Sequence, residues 1–92
     1  MLDELKKYLK VTWEDETTDS VLSGILERAK KILDSYASVP IDYDTEEKEK
    51  QLLFDLCRYI YNNAYEEFKT NFQSELIMLR YGHAEVNISE EE

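Results

Sequence analysis

Residues able to do chemistry are few in this chain. It holds one cysteine, Cys57, and one histidine, His83, which stands beside Gly82 at an expected helix end. Nucleophilic catalysis by a thiol or hydroxyl needs a base within hydrogen-bond reach, and nothing in the spacing pairs His83 with Cys57. Cys57 falls instead on an apolar helical stripe, where a free cysteine behaves as a small hydrophobe. A lone cysteine cannot form an internal disulfide, so the fold owes nothing to an oxidising compartment. Zinc sites draw on several Cys or His ligands, more than are present. Asp42-Tyr43-Asp44-Thr45-Glu46 resembles the opening of a calcium loop, but Glu47 stands where that loop needs glycine and Leu53 where it needs glutamate. Glu66 and Glu67 point to different helix faces, with no apolar pocket implied to shift either carboxyl. A phosphate-cradling glycine loop is missing. Asn87-Ile88-Ser89 matches a glycosylation acceptor, without the secretory signal that would give it a use. The reading is therefore of no catalytic residue, no metal ligand set and no cofactor.

The elements that would position any site are helical. With 92 residues the chain is expected to form one domain around one core. A domain this small buries only roughly 60 to 65% of its unfolded surface, so self-association would add needed stability. Two glycines and one proline favour helices and short connections over β-turns. Twenty-one acidic against eleven basic residues give a net charge of -10, which repels a polyanion. No apolar run approaches the roughly 18 to 20 residues of a membrane span, and Met-Leu-Asp-Glu at the start is not a basic signal region. A cytosolic setting is expected.

Leu2, Leu5 and Leu9 predict a first helix over 2–10, with Asp3 and Glu4 early and lysines late, as the helix dipole favours. The stretch 11–19 is expected to be a connection, with Thr17, Thr18 or Asp19 capping the next helix. Val21, Leu22, Ile25, Leu26, Ala29, Ile32, Leu33 and Tyr36 predict a second helix over 20–36. Pro40 ends it, and Asp44-Thr45-Glu46-Glu47 has the form of a capping box. A long third helix is predicted over about 46–68, with Leu53, Leu56, Cys57, Ile60 and Ala64 on one stripe. Thr70-Asn71-Phe72-Gln73 reads as another cap before a short helix through Leu76, Ile77 and Leu79, for which Gly82 is the C′ glycine. The fold class is all-α: a small bundle of about four helices, two longer central ones and short flanking ones. The division is a helical domain over 1–82 and an acidic, flexible tail over 83–92.

Beside the main stripe of the third helix lies a second one: Phe54, Tyr61, Tyr65 and Phe68. Two readings stay open. A central helix packs against neighbours on two sides and leaves its tyrosine hydroxyls wet, or part of this arc is an oligomer interface, since interfaces favour tyrosine. Trp13 is expected to close the bottom of the core more readily than to anchor a partner.

The order of these features resembles the tailed-phage head-to-tail connector, or head-completion adaptor, family. The residues that carry the likeness are the short first helix ending Tyr8-Leu9-Lys10-Val11; Trp13-Glu14-Asp15-Glu16 and Thr18-Asp19 before the second helix; Ile25, Leu26 and Ala29 within it; the aromatic third helix running into Tyr65-Glu66; and a last helix ending Leu76-Ile77-Met78-Leu79-Arg80. It spans about residues 1–81. The resemblance implies a non-enzymatic virion-assembly protein that forms a homo-oligomeric ring, commonly about twelve-fold. Such a ring docks under the portal protein, meets the next tail or stopper protein, and extends a channel through which DNA passes without specific binding. It also implies assembly in the host cytoplasm, residence in the virion neck, no membrane partner, and a docking role for Glu85, Val86, Asn87 and Ile88 by position. Carboxylates at the connections (Glu14, Asp15, Glu16, Asp42, Asp44, Glu46 and Glu47) are candidates for a lumen that repels phosphate. The alternative is a small acidic regulatory protein that binds a basic protein surface as a nucleic-acid mimic.

Overall fold

The computed structural model describes residues 1–12 and 15–81. All regular structure among them is helical: α1 (Leu2–Leu9), α2 (Glu16–Ala37), α3 (Glu47–Tyr61), α4 (Tyr65–Asn71) and α5 (73–81). The two longest helices, α2 and α3, form the main packing pair, α1 lies against both, and α4 packs on α3. Tyr43, just before α3, reaches Asp34 near the end of α2, while Tyr65, just after α3, lies under Arg28. The chain therefore runs back along α2 in the opposite direction.

The helix ends have identifiable chemical causes. In α1 the chain turns at Lys10, at φ 61°, with the Lys10 and Val11 amides bonded to the carbonyls of Lys7 and Lys6. These two bonds satisfy carbonyls that the helix would otherwise leave open. α2 starts a turn earlier than the apolar pattern alone predicts, because the cap is Asp15 and not Thr17, Thr18 or Asp19. The Asp15 carboxylate accepts from the Thr18 N–H at 2.7 Å and the Thr18 hydroxyl at 3.0 Å, satisfying a first-turn amide that has no partner within the helix. α2 ends at Ser38 in the left-handed region, φ 64°, with its N–H on the Asp34 carbonyl.

The expected capping box before α3 does not form. Glu46 precedes the helix without a side-chain cap. Asp42 instead accepts the Asp44 N–H on its side chain and the Glu46 N–H on its carbonyl, both at 3.1 Å, a turn closed by its own aspartate.

The predicted continuous helix over 46–68 is also corrected. Asn63 sits at φ 56°. The Ala64 N–H bonds the Tyr59 carbonyl at 2.7 Å and the Asn63 N–H bonds the Ile60 carbonyl at 3.0 Å. This is the paired termination that glycine usually makes and asparagine also accepts. The break redirects the chain, so that Phe68 on α4 folds back onto α3. Phe68 and Phe72 stack at 4.6 Å, and Tyr59 meets both edge-on at 5.6 Å. Edge-on and stacked rings at this spacing add to their burial energy.

The core consists of one side from each helix. Leu5, Leu22, Leu33, Leu53, Leu56 and Phe68 are wholly enclosed, each such leucine contributing about 1.5 to 3 kcal/mol through burial. Leu76 and Leu79 bring α5 into the same cluster. Polar ties fix α1 over the pair: Lys6 meets Asp19 of α2 at 2.7 Å, Lys50 of α3 meets Glu4, and the Tyr8 hydroxyl donates to Asp55. No described helix is long and apolar enough to cross a membrane.

Candidate functional site

Cys57 lies on the inner stripe of α3 between Leu53 and Ile60, with no exposed surface. Burial pushes its thiol up to about 12, so the thiolate needed for attack is scarce near neutral pH. His83 lies outside the described residues, as do Gly82, Trp13, Glu14, the Asn87-Ile88-Ser89 tripeptide, and the docking candidates Glu85, Val86, Asn87 and Ile88. Among the described residues, no group of three or more His, Cys, Asp or Glu side chains could hold a metal ion. Glu66 and Glu67 are both exposed, and Glu66 pairs with Lys69 at 3.0 Å, which raises the lysine pKa.

The aromatic stripe divides. Phe54 is 7% exposed and Phe68 not at all, because the first packs with Tyr8 of α1 and the second closes over α3. Both belong to the protomer's own core, which removes them from any surface offered to a partner. Tyr61, at 40% exposure, and the half-buried Tyr65 are the members that remain accessible. Two cations approach the Tyr65 ring, Arg28 at 6.0 Å and Lys69 at 5.3 Å from its centre.

Of the acids at the connections, Asp15 caps α2 and its carboxyl is held below the usual range by the Thr18 N–H and hydroxyl. Asp42 closes its own turn. Glu16, Asp44, Glu46 and Glu47 are exposed.

Two surface depressions flank the α2–α3 pair. One, of about 630 Å3, follows the outer side of α2 and is lined by Gly24, Arg28, Lys31, Ile32, Tyr36 and Tyr65 among others. The other, of about 550 Å3, lies between α3 and the chain from Phe72 through α5, with Leu52, Phe72 and Met78 as apolar lining and Glu49, Asp55 and Glu75 as carboxylates. Large apolar side chains also stand in water: Val21 on α2, and Ile77, Met78 and Tyr81 on α5, the last three 47, 59 and 63% exposed.

The last helix was expected to use Leu76, Ile77 and Leu79 together, but only Leu76 and Leu79 face the core, and Ile77 is 47% exposed. The available signal was that Ile77, Met78 and Tyr81 make a second apolar face at helical spacing, opposite the first. Gly24 in mid-helix was likewise a signal. Comparison with protein-family models, curated proteins and solved structures finds no match to this chain.

Proposed function

We propose that this chain is the structural subunit of a phage head-to-tail connector. Copies join side to side into a ring of about twelve, the ring docks on the portal protein, and its bore extends the DNA channel toward the next tail or stopper protein. The observation that carries this reading is the apolar surface left after the protomer has filled its core: Val21, Tyr61, Ile77, Met78 and Tyr81 remain 40 to 63% exposed on three different helices. A closed ring requires two unlike patches on each subunit, and apolar side chains spread over separate elements supply that kind of surface. The order of a short first helix, two long packed helices and short terminal helices supports this reading, although the third helix ends at Tyr61 and does not run into Tyr65-Glu66. The net charge of -10 suits a conduit that lets duplex DNA slide without being held. In this reading the subunit has no reaction to catalyse and no cofactor to hold. It assembles in the host cytoplasm and ends in the virion neck.

Electron microscopy of the chain mixed with assembled portal rings tests the proposal. An added ring of density on one end of the portal is expected. A chain that sediments at 11.0 kDa under every condition and leaves the portal bare overturns it.

A further inference from the structure

Gly24 has no steric role inside the protomer. It lies in the first half of α2 with no positive φ, and a Cβ built on it would meet nothing within 4 Å. Glycine is the poorest ordinary residue for a helix interior after proline. What it does provide is a low wall, along which another backbone can approach α2 closely. One and two turns further along the same outer side stand Arg28 and Lys31, with Ile32 and Tyr65 beside them in the same groove. Glu27 lines the groove as well, but it pairs with Lys30 at 3.9 Å, so Arg28 and Lys31 leave the groove with an excess of positive charge on a chain of net charge -10.

α5 presents the complementary features. Leu76 and Leu79, 4 and 6% exposed, face the core. At 100° per residue, Ile77, Met78 and Tyr81 fall on the opposite side, where they are 47 to 63% exposed. Three large apolar residues on nine helical positions form a patch and not a scatter. Glu75 borders that patch, and Glu49, Asp55 and Lys48 line the same depression as Met78.

We propose that the outer face of α5 on one copy seats in the α2 groove of a second copy, with Met78 and Ile77 beside Gly24 and Ile32 and with Glu75 toward Arg28 and Lys31. The groove and the face are different surfaces of one chain, so each copy that receives a neighbour still offers its own α5. The contact is head to tail and propagates. Its closure into a ring rests on the connector reading above; the pairing of surfaces rests on charge complementarity and on the exposed apolar face.

Sedimentation of the full chain across concentration tests it, alone and with three variants altered at exposed positions. Gly24→Gln is expected to raise the unfolding midpoint of the protomer, because glutamine is the better helix former, and yet to weaken association by about tenfold or more. Arg28→Glu/Lys31→Glu and Met78→Asp are each expected to remain at 11.0 kDa alone. When these two are mixed they should form a dimer that grows no further, since each keeps the surface the other lacks. A wild type that assembles while all three variants assemble equally overturns this pairing and leaves the connector reading standing. A wild type that never associates overturns the pairing, and portal binding then decides the connector reading separately. Duplex DNA held by the wild type and released in Arg28→Glu/Lys31→Glu, with no change in protein mass, also overturns it, by assigning the basic strip to phosphate.

Discussion

The Tyr43 hydroxyl donates to the Asp34 carboxylate at 2.8 Å, and the same carboxylate oxygen accepts the Ile41 N–H at 3.2 Å. The Asp34 carbonyl meanwhile takes the Ser38 N–H at 2.8 Å. One residue in the last turn of α2 thus ties down Ser38, Ile41 and Tyr43 of the connection to α3, across a proline that has no amide hydrogen to give.

Tyr43→Phe keeps the ring and removes the bond, and should cost about 0.5 to 1.5 kcal/mol. Burial, and then the Asp34 carboxylate, push the Tyr43 phenol well above its ordinary range. The folded chain therefore keeps a proton that the unfolded chain gives up near pH ~10. The stability this represents is fully present below about pH 10 and is lost as the pH rises from there through the folded value. Urea midpoints for wild type and Tyr43→Phe should differ in alkaline slope, with the variant the flatter of the two.

Asn63 carries the α3–α4 break at φ 56°. Asn63→Gly should be neutral or slightly stabilising, because glycine takes the left-handed region without penalty. Asn63→Val should cost at least about 1 to 2 kcal/mol. Thermal melts of the two variants separate these effects, and equal midpoints would mean that the turn relaxes to suit either residue.

Cys57 should resist thiol reagents in the folded chain, since its thiol is enclosed and held protonated up to about 12. Modification should follow unfolding, with a rate that rises with urea in step with the unfolded fraction. Rapid labelling of the native chain would place the thiol at the surface. Cys57→Ser should destabilise by about 1 to 3 kcal/mol, because the hydroxyl lacks a partner there.

Phe68→Ala and Tyr61→Ala should separate folding from assembly. Phe68 is fully enclosed, and its truncation should cost about 3 to 5 kcal/mol of protomer stability. Tyr61 is 40% exposed, so its loss should leave the unfolding midpoint close to wild type while reducing self-association measured by light scattering. Equal loss of both in Tyr61→Ala would place that ring within the protomer.

The helical class was legible because Leu22, Leu26, Ala29 and Leu33 recur at steps of three and four with no period-two stretch to compete. The end of α3 was not, although Asn62 and Asn63 mark it. The apolar pattern continues through Tyr65 and Phe68, so periodicity alone joins two helices that the left-handed asparagine separates. The start of α2 was missed for a related reason: Asp15 lies among several capping residues, and only the bonds to Thr18 select it. Of the surface, the stripe of Phe54, Tyr61, Tyr65 and Phe68 was legible as one set, but not its division into the buried Phe54 and Phe68 and the 40% exposed Tyr61.

Residue order by itself determined the helical content, the acidic charge, and the inner faces of α2 and α3, because each depends on composition or on spacing within one helix. Tertiary structure alone decided which of several aromatic rings are enclosed, and that the outer faces of α2 and α5 stay open. Exposure depends on how neighbouring helices are placed, and that placement was set here by two short turns, at Asp34–Tyr43 and at Asn63, whose geometry no periodicity records.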